Sequence, residues 1–324
     1  MSPTRVPALS VLLYVPEGGE IPRTIEPLRR QTVKEQLEVL LVTSDPNALT
    51  FDEALVDDFC RVEVVDAGRI DSRAQAMAEG VRQASAPLVG FVGNHSYPSH
   101  DWAERLIAAH ELSWAGVGPA ELNANPDSTI SWAHFFMGHG RWVFPVETGV
   151  IDILPATSSV YKRPLLIDYG PELATMLERD GALHRDLRSK GYDLFLEPDA
   201  QVLHFNVSLA GSFLRFRFWV GRAYGASRAS REKWSPVRRA LYIFGSPLIP
   251  LIHLRLILSW VRRCDREYQL LPRILPALVV GLIAHAAGEV VGYAAGMGSA
   301  RQHILSFESD IDRHMTVRDR EIKV

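Results

Sequence analysis

"LVGFVGNHSYPSHDWAERL", residues 88–106, contains the turn on which the fold is read. Leu88 to Val92 are apolar without alternation, as in a strand buried on both faces. Gly93 to Ser96 form a polar turn, and Trp102, Leu106 and Ile107 then give the following segment one apolar helical face. Asp101 and Glu104 have the spacing of a capping box at the start of that helix. A turn held between a rigid strand and a rigid helix is a sound place for a site.

The same alternation extends upstream. "ALSVLLYV" (8–15), "LEVLLVTS" (37–44) and "RVEVVDA" (61–67) read as strands. "IPRTIEPLRRQ" (21–31), "TFDEALVDDFC" (50–60) and "SRAQAMAEGVRQAS" (72–85) read as the helices between them. Strands apolar on both faces and separated by helices imply a mostly parallel sheet covered on both sides. Ligands bind such sheets beyond the carboxyl ends of the strands. That rule places Glu17, Ser44–Asp45, Asp66–Gly68 and Gly93–Ser96 along one rim.

Downstream, "SWAHFFMGHGRWVFPVETG" (131–149) is aromatic and irregular, suiting either a substrate wall or a second core. Leu173, Leu177, Leu183 and Leu187 stripe a helical region ended by Gly191, and two short strands are expected after it. From about residue 210 the character changes. Residues 228–239 hold five basic side chains against the single acid Glu232. "ALYIFGSPLIPLIHLRLILSWV" (240–261) and "ILPALVVGLIAHAAGEVVGYAAGMGS" (274–299) are long enough for a bilayer, at about 20 residues per span. The loop between them carries four arginines against two acids. A hairpin lying along the cytoplasmic leaflet keeps those arginines near anionic lipid, whereas a spanning hairpin puts them outside, against the positive-inside tendency. Membrane association is expected, with spanning left open.

The chain has 324 residues, 47% of them hydrophobic and 23% charged, and a net charge of −3. That charge carries no nucleic-acid signature. Two distant cysteines, Cys60 and Cys264, suggest no disulfide framework. The opening "MSPTRVPALSVLLYV" lacks the pattern of a signal peptide, so the N-terminal part is expected in the cytosol. No glycine-and-lysine phosphate loop and no GxGxxG opens a helix, which counts against nucleotidyl-transfer and dinucleotide chemistry.

Three stretches resemble family-2 glycosyltransferases of the GT-A fold, over roughly residues 8–206. The first is "SVLLYVPEGGEIPRTIEPLRRQTVKEQLEVLLV", with Leu28, Gln31 and Thr32 in the family's first helix. The second is "GVRQASAPLVGFVGNHSYPSHDWAERL", similar to the stretch that ends in the metal-binding Asp-X-Asp. The third is "LERDGALHRDLRSKGYDLFLEPDAQVLH", similar to the segment that supplies the catalytic carboxylate. The resemblance implies inverting transfer of a sugar from a nucleotide-sugar donor, aided by Mn²⁺ or Mg²⁺. It makes Asp180 the catalytic base, eleven residues before Gly191. It sets the Asp-X-Asp on Gly93, Asn94 and His95, so both carboxylates are absent. Asn94 is then a donor-binding residue, together with Glu17, which could accept from a uracil N–H, and Asp45 or Asp66, which could contact the ribose; His95 and His204 are the expected metal ligands. The family's Arg-Asn pair falls on Met77 and Ala78.

The expected organisation is a GT-A-like domain over 1–210, a basic and aromatic connector over 211–239, a hydrophobic hairpin over 240–300 and a charged tail over 301–324. The expected partners are a nucleotide-sugar donor, a glycan or lipid-linked acceptor and the membrane, at the cytoplasmic face of the cell membrane, as in polysaccharide biosynthesis. The alternative is an inactive GT-A-like protein that binds a nucleotide or a partner enzyme at the membrane.

Overall fold

The computed structural model describes residues 6–16, 21–49, 58–178, 181–264 and 269–322. They cluster into two compact units: residues 1–122 with 146–203, and residues 123–145 with 204–324.

The first unit is built on a mixed sheet. Strands β1 (Leu9–Tyr14), β2 (Leu37–Thr43), β3 (Arg61–Asp66) and β4 (Leu88–Val92) run parallel, with β1 between β2 and β4 and β3 beyond β2. Every residue of β1, β2 and β4 is buried, which is why these stretches read as unbroken apolar runs. Short helix α1 (Ile25–Arg29) and helix α2 (Arg73–Gln83) belong to the crossovers. Gly80 brings α2 onto the sheet, where a methyl group would lie 3.0 Å from both Leu12 and Val42.

Past β4 the sheet continues through β5 (Ser96–Pro98), β6 (Gly116–Asn123), β7 (Gly149–Ile151), β8 (Val160–Lys162) and β9 (Leu194–His204), in the order β4-β8-β6-β9-β5 with β7 also on β9. Here β8 pairs antiparallel with β4 and β6, and β7 antiparallel with β9. Helix α3 (Trp102–Ala109) buries Trp102 and Leu106 completely, and its Trp102 indole donates to the Ser158 carbonyl at 3.2 Å. The capping box does not form. Asp101 instead accepts from Arg105 at 2.6 Å and Ser99 at 3.0 Å, and Glu104 accepts from Thr32 at 2.7 Å. Helix α4 (Thr129–His139) opens the inserted segment of the second unit, and α5 (Arg163–Ile167) returns to the first.

The leucine stripe is divided between α6 (Leu173–Glu178) and α7 (Ala182–Ser189), which begins after Gly181 in the left-handed region (φ +59°). Leu173, Leu183 and Leu187 are buried. One eleven-residue strand, β9, then runs where two short ones were expected, carrying Pro198 within it. Most of segment 50–60, read as a helix, lies outside the described residues.

The second unit is helical. It comprises α4 together with α8 (Ala210–Arg231), α9 (Pro236–Gly245), α10 (Ile249–Val261), α11 (Leu271–Ala295), α12 (Ala300–Ser309) and the short α13 (Val317–Arg320). Its core joins Trp132, Phe135 and Phe136 of α4 to Phe213, Ile257, Val261 and Leu278. The aromatic stretch is therefore a second core. Helices α8 and α11 pack backbone to backbone through Gly221 and Gly225 on one side and Gly288 and Gly292 on the other. Both pairs have the small-xxx-small spacing that lets helices approach closely.

Candidate active site

The parallel strands feed one rim. The chain moves outward from β1 to β2 and β3, then returns to place β4 on the other side of β1. The carboxyl ends of β1 and β4 thus flank a topological switch point, where sheets of this kind bind ligands. The Gly93–Ser96 turn stands there. Gly93 N–H donates to the Thr157 carbonyl at 2.8 Å, and Ser96 N–H donates back to the Gly93 carbonyl at 3.0 Å. A side chain at 93 has little room: its Cβ would lie 2.7 Å from Ser96 Oγ and 3.1 Å from Thr157 Cβ. The turn is closed around this glycine.

Asn94 is half-buried, and its Oδ1 is a buried acceptor with no hydrogen bond among the described residues. His95 is buried beside it. One amide oxygen and one imidazole bring no negative charge, and among the described residues the turn gathers no set of three His, Cys, Asp or Glu ligand atoms. Divalent ions such as Mg²⁺ and Mn²⁺ favour carboxylate, carbonyl and water oxygen. The turn therefore fits a cation that arrives already coordinated by a diphosphate, and not one that the protein holds alone.

Arg73 is the residue the sequence reading missed. It lies in the first turn of α2, whose N-cap Ser72 accepts from Gln75 N–H at 3.3 Å. Its guanidinium donates to the Val92 carbonyl at 3.1 Å, at the last residue of β4. The available signal was its position one helical turn before Met77, on the same face of α2 as the family's arginine.

Asp45 stands two residues past β2 and Asp66 is the last residue of neighbouring β3, in register with Thr43. Both are exposed, and each has one oxygen engaged locally. Asp45 Oδ1 accepts from Asn47 and Ala48 N–H at 3.2 and 3.3 Å, and Asp66 Oδ1 accepts from Gly68 N–H at 2.8 Å. Glu17 and Asp180 lie outside the described residues. On α7, after the Asp180 position, His184 Nε2 shares a hydrogen bond of 2.7 Å with the Tyr161 hydroxyl. Burial lowers His184 to a pKa of about 4 and raises the tyrosine, so both stay neutral.

His204 falls in the second unit, buried in an amide network. Asn206 Oδ1 accepts from Nδ1 of both His204 and His134, each at 3.2 Å, and Asn206 Nδ2 donates to Asn123 at 2.9 Å. An amide oxygen only accepts, so Nδ1 of each imidazole carries a proton. His139 packs on the His204 ring at 3.9 Å between centroids.

The comparisons follow this geometry. Residues 15–169 match the model of glycosyl transferase family 2. That stretch is similar to family-2 glycosyltransferases. A mannosyltransferase from Pyrobaculum calidifontis, solved with GDP-mannose and Mn²⁺, is similar at 17% identity and a TM-score of 0.52. The match covers 89% of this chain and 88% of that one, and shares the fold. GalNAc-T7, solved with UDP, GalNAc and Mn²⁺, is similar at 14% identity and a TM-score of 0.43, over 62% of this chain and 44% of that one. Comparison with curated proteins returns no match. The switch-point rim is the candidate ligand site, and its turn, Gly93–Ser96, carries no carboxylate.

Proposed function

We propose that the chain is a glycosyltransferase that moves a sugar, with inversion, from a nucleotide-sugar donor to a lipid-linked or glycan acceptor at a membrane surface. The observation that carries this is the polar turn Gly93–Ser96 at the switch point of a domain matched by the family-2 model. Asp180 takes the proton of the acceptor hydroxyl as that oxygen attacks the anomeric carbon. The bond to the donor's phosphate oxygen breaks, and the nucleoside diphosphate leaves with the electron pair. Glu17 accepts from the base, and the free oxygens of Asp45 and Asp66 contact the ribose. Arg73 offers its guanidinium to the diphosphate, a task suited to its fork of donors. A divalent ion bound with the diphosphate would supply Lewis-acid charge there, with Asn94 and His95 as its protein ligands.

Two helical stretches, Pro236–Val261 and Leu271–Ala295, are long and apolar enough to cross a membrane. The first also exposes Val237 (80%), Leu241, Phe244 (84%), Leu248, Leu251 and Ile252. An apolar surface of this extent marks an interaction or membrane face. With the arginines of 228–239 alongside, it supports seating the protein on anionic lipid, at the cytoplasmic face on this proposal.

The test is calorimetric titration of the full chain in detergent with UDP and GDP, followed by transfer assays with the matching sugar nucleotides. Asp180→Asn is expected to lower transfer about 10²–10⁴-fold with nucleotide affinity unchanged. Equal activity in that variant overturns the assignment of the base. Tight nucleotide binding with no turnover favours the second reading, a nucleotide-binding protein without catalysis, for which the carboxylate-free turn speaks.

A further inference from the structure

Helix α11 is almost wholly apolar, yet it carries Glu289, 2% exposed, one turn after the nearly buried His285. His253 of α10 faces the same point. One ligand atom from each of the three lies within 4.8 Å of the others. His285 Nε2 is 3.4 Å from Glu289 Oε1, but that oxygen accepts no hydrogen bond among the described residues, and neither does His285 Nδ1 make one. The other carboxylate oxygen accepts from Tyr293 O–H at 2.5 Å.

We infer that His253, His285 and Glu289 form a Zn²⁺-type site that ties α10 to α11. An ion pair along one helix needs one imidazole and a shared proton. A second imidazole supplied by another helix adds nothing to it, and adds repulsion once both rings are charged. Three lone-pair atoms meeting at one point are what a cation needs. Ligand atoms about 2.0–2.2 Å from a tetrahedral Zn²⁺ lie roughly 3.3–3.6 Å apart, matching the His285–Glu289 separation. Two imidazoles and one carboxylate suit Zn²⁺ better than Mg²⁺ or Ca²⁺, which take oxygen. Three protein ligands leave a fourth position for water or another donor.

The supports of the site are built in. Tyr293 orients the carboxylate, as outer-shell partners of metal ligands do. Gly221 and Gly225 of α8 press on the backbone of the two residues that carry α11's ligands: a methyl group at 221 would lie 2.8 Å from the His285 carbonyl carbon, and one at 225 would lie 2.6 Å from the Glu289 carbonyl oxygen. The helix turn holding both ligands is thereby fixed from the opposite helix.

The experiment uses the full chain without a polyhistidine tag, purified in detergent and stripped with a chelator. Zn²⁺ is titrated in competition with a chromophoric chelator, and bound metal is counted by plasma mass spectrometry. Wild type is expected to hold one tight ion, and Co²⁺ in its place is expected to give the visible bands of tetrahedral coordination. His253 is half-exposed, so His253→Ala should fold; it is expected to bind at least 100-fold more weakly, and Tyr293→Phe about 10–100-fold more weakly. Circular dichroism of the stripped proteins checks that the variants are folded. His95→Ala is expected to keep the tight ion. Absence of a tight ion in wild type overturns the assignment, as does an ion retained in folded His253→Ala or lost in His95→Ala.

Discussion

Gly221→Ala tests whether the α8–α11 seam is fixed by backbone contact. The added methyl would meet the His285 carbonyl oxygen first, with the carbonyl carbon 2.8 Å away. Non-bonded carbons settle at about 3.5–4.0 Å, so the contact with the carbon alone parts the helices by at least roughly 0.7–1.2 Å. Overpacking of this kind costs typically 1–3 kcal/mol, and rigid backbone on the far side puts it near the top of that range. Alanine's helix propensity returns about 1 kcal/mol, leaving a net loss of about 2 kcal/mol. In a unit of this size that lowers the unfolding midpoint by roughly 4–8 °C. Gly211→Ala, in the same helix, is the control: its methyl meets nothing nearer than Arg215 at 3.9 Å, so it should be neutral or raise the midpoint. Gly288→Ala should behave like Gly221→Ala, with Arg222 N at 2.8 Å, and the double variant should lose less than the sum because one separation relieves both clashes. Thermal unfolding followed by tryptophan fluorescence reads all four. Gly221→Ala as stable as Gly211→Ala would refute the close-packed seam.

Arg73→Ala should weaken nucleoside-diphosphate binding by about 10–100-fold, the worth of a charge-assisted hydrogen bond, and cost about 0.5–1.5 kcal/mol of stability for the lost bond to the Val92 carbonyl; calorimetry with UDP and GDP checks it. His110 and His184 are both lowered to a pKa of about 4 by burial. Their stabilisation is complete above the ordinary histidine value near 6.5 and falls as pH drops toward 4, because the unfolded chain takes up protons that the folded one refuses. Each contributes up to about 3 kcal/mol to that loss, and urea titrations between pH 7 and 4 should show a shallower slope for His110→Gln. Phe244→Asp, at an 84% exposed position, should abolish co-sedimentation with anionic vesicles and leave the unfolding midpoint unchanged.

The parallel half of the sheet was legible because its strands are buried on both faces, and continuous apolar runs such as Leu9–Tyr14 have few other homes. Past β4 the sheet turns antiparallel with strands of only three residues at β5, β7 and β8, too short to leave a pattern. The rim turn was legible because Pro98 and Trp102 anchor its alignment. Arg73 was not, because its role comes from the crossover that carries α2's first turn to the end of β4, a tertiary fact. The capping box failed for a similar reason: Arg105, four residues on, takes the Asp101 carboxylate, and the tool of local spacing does not weigh that competition. His253 and the pair on α11 are far apart in sequence, and only helix packing brings them together.

The second unit is discontinuous, taking residues 123–145 from the middle of the chain and 204–324 from its end. During synthesis, Trp132, Phe135 and Phe136 leave the ribosome well before Phe213, Ile257 and Leu282, their core partners. The separation is about 80–150 residues, or roughly 4–30 s at about 5–20 residues per second. Hydrophobic collapse takes at most about 100 μs, so these aromatics pass through a long orphan period with no native surface to cover them. Nascent chains of this protein should therefore depend on a holding factor, a chaperone or the lipid surface, until α8 emerges. A chain cut before residue 213 never leaves that period.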